Sequence, residues 1–189
     1  MSQLEQFVVD AIKTESRVES IKANEELLTA TLQIMIHAGN ILDQIKKNTF
    51  YDKPFDVDAL INHAHEINDF VLLLNHIDTN TIVDNKTEFG VNPRLFHSIV
   101  GIATESTELL EALDLSGTKM DNVNLGEEFG DIDWYKAIGC DELNISWDTI
   151  LNAVIAKLKE RYPDNFTSED AINRNLDKER EILNTMETE

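Results

Sequence analysis

Apolar residues recur at every third or fourth position along most of this chain, and no other feature constrains the fold as strongly. The clearest run is NEELLTATLQIMIHAGNILDQIKK, whose apolar positions are Leu28, Leu32, Met35, Ile36, Leu42 and Ile45. Residues at this spacing share one face of an α-helix. Only 7 glycines and 3 prolines occur among the 189 residues, so few positions favour turns. The sequence therefore predicts an all-α fold, and no segment predicts a strand.

Capping and helix-breaking residues divide the chain into five or six predicted helices. Asn92 before Pro93 is a typical N-cap followed by a typical first helical residue, and Ser146 is a second predicted cap. The segment NTFYDKPFD and the pair Tyr162-Pro163 are predicted helix ends. The predicted helices cover about 4–16, 24–47, 57–77, 93–113, 124–138 and 147–161, and a charged tail after them is helical in its first turns.

We expect one all-α domain over residues 1–189, a helix bundle around a four-helix core. Its expected parts are an N-terminal helical half (1–90) and a second half with the charged tail (91–189). IHAGNILDQI aligns with TESTELLEAL, and EINDF aligns with EFGDI. Two interpretations stay open: a duplicated helical hairpin, or a chance similarity between amphipathic helices.

Acidic residues far outnumber basic ones, 36 against 16, which gives a formal net charge of −20. Such a field repels nucleic acid and anionic membranes, so we expect neither as a partner. The single cysteine, Cys140, cannot form an intrachain disulfide, and we predict a small core residue. The N-terminus has no basic segment typical of a signal peptide, and no long apolar run predicts a membrane span. The expected location is therefore the cytoplasm.

Two pairs of carboxylates at helical spacing give the strongest functional signal. Glu105 and Glu108 form an E-x-x-E on the fourth predicted helix, and Glu128 and Asp131 form an E-x-x-D on the fifth. Each pair borders an apolar stripe, so antiparallel packing of the two helices would bring all four carboxylates together. A divalent cation would offset their repulsion, and oxygen-only ligands favour Mg²⁺, Mn²⁺ or Ca²⁺. The competing interpretation is a solvated acidic helix face.

The segments GIATESTELLEAL and EFGDIDWY, with nineteen residues between Glu108 and Glu128, resemble the signature of the MazG-like family. These proteins are all-α nucleoside triphosphate pyrophosphohydrolases, related to dimeric dUTPases and dCTP pyrophosphatases. AKLKERYPDNF and AINRNLDKER also resemble segments of relatives, and the resemblance covers about 96–180. It implies hydrolysis of an NTP or dNTP to the monophosphate and pyrophosphate, with Mg²⁺ or alternatively Mn²⁺, by a homo-oligomer such as a dimer or tetramer.

The resemblance also implies roles for individual residues. It assigns Glu105, Glu108, Glu128 and Asp131 to metal binding. A carboxylate that is not fully committed to the metal would accept the proton, and we expect this to be Glu105 or Glu108, with Glu111 as the less favoured alternative. Tyr135 matches an aromatic residue of the substrate pocket in relatives, and its alternative role is core packing. Further candidates for substrate contacts are Trp134, whose alternative role is core packing, and three basic residues, whose alternative role is to complement helix dipoles: Lys157, Arg161 and Arg174.

If the hairpin is duplicated, the two copies differ in their carboxylates. The first copy has His37 and Asn40 at the E-x-x-E positions and keeps Glu66 and Asp69 at the E-x-x-D positions. With half of the carboxylates missing, we expect this copy to be a degenerate packing partner.

Two other functions compete with hydrolysis of nucleotides. The segment HAHEIND invites comparison with HD-type phosphohydrolases, but it lacks their adjacent His-Asp pair, so His63 and His65 are predicted to be surface or inter-helix residues. The alternative outside enzymology is an acidic helical adaptor, or an inhibitor that mimics nucleic acid, and it is motivated by the net charge of −20.

Overall fold

A computed structural model describes residues 2–78, 82 and 85–187 of the chain, and the predicted all-α fold is confirmed. The helices in this part of the chain are α1 Gln3–Ala11, α2 Glu25–Tyr51, α3 Val57–His76, α4 Pro93–Ala112, α5 Asn122–Leu143, α6 Trp147–Arg161, α7 Ser168–Ile172 and α8 Leu176–Leu183. Two short strands, β1 (Ile21–Ala23) and β2 (Thr87–Phe89), pair in a two-stranded sheet. Across the described residues, every helix is too short or too polar to span a bilayer.

Several predicted helix ends are confirmed by capping contacts. The side chain of Asn92 accepts hydrogen bonds from the backbone N–H groups of Arg94 and Leu95 at the start of α4. The hydroxyl of Ser146 accepts from the N–H of Thr149 at 3.0 Å at the start of α6. Each contact satisfies an N–H that has no partner within the helix.

Other predicted helix ends are wrong by several residues. α2 continues through the predicted break and ends at Tyr51, where Asp52 adopts a left-handed conformation with φ 53°. α5 begins at Asn122, because the side chain of Asp121 caps it, and it extends to Leu143. The charged tail forms two short helices, which raises the number of α-helices to eight in the described chain. The prediction of no strands is also wrong, because three-residue strands are too short to show an alternating pattern.

The chain divides into two compact units. The first contains Met1–Ile21, Gly90–Glu160 and Leu176–Glu189, and the second contains Lys22–Phe89 and Arg161–Asn175. Each unit combines segments from both predicted halves, and the expected single domain with a four-helix core stays a prediction.

Each unit is built on one antiparallel helical hairpin. In the first unit, residues 98, 101 and 105 of α4 lie beside residues 139, 135 and 128 of α5 respectively. In the second unit, residues 37 and 44 of α2 lie beside residue 63 of α3 and residue 56 just before it. Residue numbers that rise along one helix fall along its neighbour, so the paired helices run in opposite directions.

Small residues let α4 and α5 approach each other closely. A Cβ added at Gly101 would overlap ring atoms of Tyr135, and one added at Gly139 would lie 2.6 Å from the hydroxyl of Ser98. The same end of α5 packs on α1 and α6 through a buried cluster. Its buried members are Ala11, Ala137, Cys140 and Trp147. The predicted core position of Cys140 is thereby confirmed, and burial raises the pKa of its thiol.

A network of ion pairs holds the start of α4 in place. The guanidinium of Arg94 donates through Nε and Nη2 to both carboxylate oxygens of Glu15 at 2.8 Å. It also pairs with Asp141 at 2.7 Å and with Glu142 at 2.8 Å, both near the end of α5. The side chain of Glu15 is fully enclosed. The segment after α1 is therefore tied to both helices that carry the predicted carboxylates.

The loop from α4 to α5 is organised by the carboxylate of Asp114. It accepts hydrogen bonds from the backbone N–H groups of Ser116, Thr118 and Lys119. The side-chain and backbone donors of this loop hold the pKa of Asp114 far below its ordinary value. Gly117 supplies the left-handed conformation that the turn requires, with φ 69°.

Candidate metal centre

Three of the four predicted metal ligands converge at the α4–α5 contact. Glu105, Glu108 and Glu128 each place a carboxylate oxygen within 4.8 Å of the others. We call these three residues the glutamate cluster. Glu128 is only 6% exposed, whereas Glu105 is half-buried and Glu108 is exposed. The cluster is therefore closed on the side of α5 and open to solvent at Glu108.

Asp131, the fourth predicted ligand, lies one helical turn beyond Glu128 and is exposed. Among the described residues, the closely spaced group contains the three glutamates and does not include Asp131. Its charge nonetheless acts on the site, because it helps to raise the pKa of both Glu128 and Tyr135. Asp131 thus lies within electrostatic range of the glutamate cluster, at its edge.

The ionisation of Glu128 shows how unfavourable the arrangement is without a cation. Burial raises the pKa of this carboxyl, and the negative charges of Glu108 and Glu105 raise it further. A proton shared with the neighbouring carboxylate of Glu105 would also favour the protonated form of Glu128 and so raise its pKa. An oxygen-only set of this kind matches a hard divalent cation such as Mg²⁺ or Mn²⁺, which would turn the mutual repulsion into attraction. The residues present therefore fit the ion that the resemblance implies.

Tyr135 forms a wall beside the glutamate cluster. Its ring rests on the backbone of Gly101, one turn of α4 before Glu105. Burial raises the pKa of the Tyr135 hydroxyl, followed by the charges of Glu105, Asp131 and Glu108. The side chain therefore lies within the field of the carboxylates and also packs between α4 and α5, and its contact with a substrate stays a prediction.

An open cavity of about 310 Å³ adjoins the cluster within the first unit. The first three turns of α4 form one wall, and residues 15–18 and Ile21 form another. Thr104, which precedes Glu105, and Tyr135 both belong to the lining. His97 also lines the cavity, and its ring meets the ring of Tyr135 edge-on with centroids 5.4 Å apart.

Trp134 takes part in packing. Its indole N–H donates to the hydroxyl of Thr14 at 2.9 Å, and its ring packs against the buried cluster of α1, α5 and α6. The structure thus places Trp134 in the packing role that the sequence offered as the alternative to stacking on a base.

The three predicted basic contacts are spread over both units. Lys157 lies on α6 in the first unit, whereas Arg161 and Arg174 belong to the second. The guanidinium of Arg161 lies 5.6 Å from the centre of the Tyr162 ring. No described contact brings Lys157 to the glutamate cluster, and a phosphate-binding role for the three residues stays a prediction.

The sequence did not single out Gly101, Arg94 or His97. An isolated glycine inside a predicted helix is a sign of close packing, and that sign was present at Gly101. Arg94 contacts a carboxylate 79 residues earlier in the chain, and no local pattern predicts such a pairing.

Comparison with known proteins gave no match among protein-family models, curated proteins or solved structures. The resemblance to the MazG-like family therefore rests on the sequence segments quoted above and stays a prediction.

Proposed function

We propose that this chain is a Mg²⁺-dependent pyrophosphohydrolase that converts a nucleoside triphosphate to the monophosphate and pyrophosphate. The observation that carries the proposal is the convergence of three glutamates, one of them buried, on two packed helices. A solvated acidic face would keep its charges apart and in water. Burying one carboxylate against two others is unfavourable unless a cation or a proton compensates.

The open side of the glutamate cluster suits an anionic substrate that arrives with its metal. When bound, Mg²⁺ would neutralise charge on the phosphate oxygens and lower the pKa of a coordinated water. Asp131, at the edge of the cluster, would add to the attraction for the cation. The proposed ion is Mg²⁺, which the resemblance implies, with Mn²⁺ as the alternative. Both ions accept carboxylate and phosphate oxygens as ligands.

Glu108 is the residue that we propose as proton acceptor. Glu105 is half-buried beside Glu128, whereas Glu108 is exposed at the mouth of the cluster. In the proposed reaction, water attacks the α-phosphorus and the anhydride bond to the β-phosphate breaks. The proton of the water passes to the carboxylate of Glu108, and pyrophosphate leaves with the bridging oxygen.

The cavity beside Tyr135 is the proposed site for the nucleoside part of the substrate. Its volume of about 310 Å³ is at the lower end of the range typical for small-molecule sites. Val18, Phe96 and Val100 give it apolar surface, and His97 adds a polar edge. Thr104, which precedes Glu105, and Tyr135, whose pKa the cluster raises, both line the cavity, so a nucleoside there would direct its phosphates toward the cluster.

A homo-oligomer is part of the proposal as well. Large apolar side chains on the site helices point into solvent, with Val123 81% exposed, Ile99 65% and Phe129 61%. Exposed apolar surface of this kind is typical of association sites. A dimer or tetramer would cover it, and size-exclusion chromatography with light scattering would measure the assembly.

The test of the proposed function is a substrate panel. The purified chain is incubated with each NTP and dNTP in the presence of Mg²⁺, and products are separated by anion-exchange chromatography. We expect at least one nucleotide to yield its monophosphate and pyrophosphate. Reaction in ¹⁸O-labelled water should place the label in the monophosphate, because attack at the α-phosphorus transfers the water oxygen to that product.

The acidic adaptor is the competing outcome of the same experiment. If the whole panel stays intact with Mg²⁺ and with Mn²⁺, the enzymatic proposal fails. Salt-sensitive binding to a basic protein would then support the adaptor, because attraction between exposed charges weakens as ionic strength rises.

A further inference from the structure

A pair of histidines faces across the hairpin of the second unit. His37 of α2 and His63 of α3 place their Nδ1 atoms 2.9 Å apart, and their ring centroids are 5.1 Å apart. The ring of Phe70 stacks on His37 at 24° between planes, with centroids 6.2 Å apart. Both histidines are half-buried, so they are held by packing and remain reachable from solvent. One of the two Nδ1 atoms must carry a proton if the contact is a hydrogen bond.

The same distance suits two ligands of one transition-metal ion. With metal–nitrogen bonds of about 2.05 Å, ligands at right angles lie about 2.9 Å apart, and tetrahedral ligands lie about 3.3 Å apart. The observed 2.9 Å matches the first arrangement, and a small ring movement reaches the second. Neutral imidazole nitrogens favour Zn²⁺, Ni²⁺ and Cu²⁺ over Mg²⁺.

The alignment of the two hairpins also supports a metal site at the histidine pair. When IHAGNILDQI is aligned with TESTELLEAL, His37 takes the position of Glu105, a member of the glutamate cluster. His63 lies one helical turn before Glu66, which corresponds to Glu128. The α2–α3 hairpin thus carries imidazole nitrogens in the region where the α4–α5 hairpin carries carboxylate oxygens.

We propose that His37 and His63 form a second metal site, which binds one Zn²⁺ or Ni²⁺ ion and clips α2 to α3. Water completes the coordination, since both side chains border solvent. The histidine that carries the shared proton on Nδ1 would move it to Nε2, so that both neutral rings offer an Nδ1 lone pair to the ion, and the bound ion stabilises the second unit. The site goes beyond a degenerate packing role for this hairpin, and it does not depend on the proposed enzymatic function.

Calorimetric titration with Ni²⁺ tests this site in the full-length chain without a histidine tag and in excess Mg²⁺. We expect one equivalent of Ni²⁺ to bind per chain. His37→Gln and His63→Gln should each weaken the affinity by roughly tenfold or more. His65→Gln is the matched control, because His65 is exposed on the same helix. This variant should bind Ni²⁺ with the same affinity as the unchanged chain. Glu105→Gln should also leave Ni²⁺ binding intact.

Two results would overturn the proposal. One is the absence of saturable Ni²⁺ binding by the unchanged chain, which would leave the pair as a hydrogen bond alone. The other is an equal affinity in His37→Gln, His63→Gln and the unchanged chain. If the two variants lose their helical circular dichroism, they are unfolded and cannot test the site. In that case the site is tested by ¹⁵N NMR spectra of the unchanged chain. Zn²⁺ must then shift the ring nitrogens of both histidines, and unshifted resonances contradict the site.

Discussion

The ring of Tyr135 lies directly on the backbone of Gly101, so that no side chain fits at residue 101 without moving the tyrosine. This contact fixes the separation of α4 and α5 one turn before Glu105. Both residues also line the cavity, and Tyr135 lies within the electric field of the glutamate cluster. The spacing of the carboxylates therefore depends on a residue that carries no functional group.

Gly101→Ala should destabilise the first unit, because the added methyl group overlaps the ring of Tyr135. Overpacking of this kind costs about 1–3 kcal/mol, which lowers the melting temperature by roughly 2–12 °C for a chain of this length. The control is Gly126→Ala on α5, where a Cβ meets no neighbour and alanine should be neutral or stabilising. A melting temperature of Gly101→Ala equal to that of Gly126→Ala would contradict the close contact.

Much of the fold was predictable, because its signals are local. The Asn92-Pro93 start of α4 follows from side-chain capping and from the fixed φ of proline, and the structure shows both. The end of α2 was not predictable to the residue. The residues from Asn48 to Tyr51 are compatible with a helix and with a loop. The helix ends after Tyr51 because Asp52 adopts a left-handed conformation.

The glutamate cluster was predictable for a similar reason. E-x-x-E and E-x-x-D spacings put each pair on one helix face, and one antiparallel contact brings the pairs together. The spacing does not determine burial, so it could not indicate that Glu128 is enclosed while Asp131 is exposed. The pairing of Arg94 with Glu15 and the meeting of His37 with His63 also depend on tertiary packing.

Arg94→Met should lower stability strongly, because it leaves the enclosed Glu15 without its main partner. Burial alone would raise the pKa of Glu15, but hydrogen bonds from Arg94 and Arg17 outweigh it and hold the pKa below its ordinary value. We expect the free energy of unfolding to fall by about 2–4 kcal/mol, because the buried carboxylate of Glu15 would be left without its partner. The partial exposure of Arg94 keeps the loss within this range. Urea unfolding at neutral pH measures the change.

Arg17→Met provides the control for Arg94, because Arg17 pairs with the same carboxylate but is itself exposed. Its loss should change the free energy of unfolding by less than about 1 kcal/mol. The lowered pKa of Glu15 means that its stabilising effect is present above the unfolded pKa and disappears as the pH falls through the folded pKa. The difference in the free energy of unfolding between Arg94→Met and the unchanged chain should therefore become smaller in acid. A difference that does not change with pH would contradict the ion pair.

Glu128→Gln should raise the stability of the metal-free protein and abolish stabilisation by Mg²⁺. The neutral amide removes a buried charge that faces Glu105 and Glu108, and it also removes a ligand. For the unchanged chain, Mg²⁺ at one hundred times its dissociation constant should add about 2.7 kcal/mol, or roughly 5–10 °C in melting temperature. Thermal melts with Mg²⁺ and with EDTA measure both effects.

Glu127→Gln is the matched control for Glu128, because Glu127 is adjacent and exposed. This variant should keep the full response to Mg²⁺. If Mg²⁺ raised the melting temperature of Glu128→Gln by as much as that of Glu127→Gln, Mg²⁺ would bind elsewhere.

Stabilisation by Mg²⁺ should increase with pH. The pKa of Glu128 is raised in the folded state, so the metal-free folded protein binds more protons than the unfolded chain between the unfolded and folded pKa values. Its stability therefore falls as the pH rises through that window. Mg²⁺ binds only the deprotonated carboxylates, so the gain in melting temperature should be larger at about pH 8 than at about pH 5. A gain that is the same at both pH values would argue against binding at Glu128.

The most direct test of the central claim compares Glu108→Gln with Glu111→Gln in the hydrolysis of the best nucleotide of the panel under Mg²⁺. Glu108 belongs to the glutamate cluster, whereas Glu111 is exposed on the same helix, one turn further on. We predict that Glu108→Gln loses roughly 10²–10⁴-fold in the rate of monophosphate and pyrophosphate formation, and that Glu111→Gln keeps the rate of the unchanged chain. Equal rates in the two variants, or no hydrolysis by the unchanged chain, would contradict the claim.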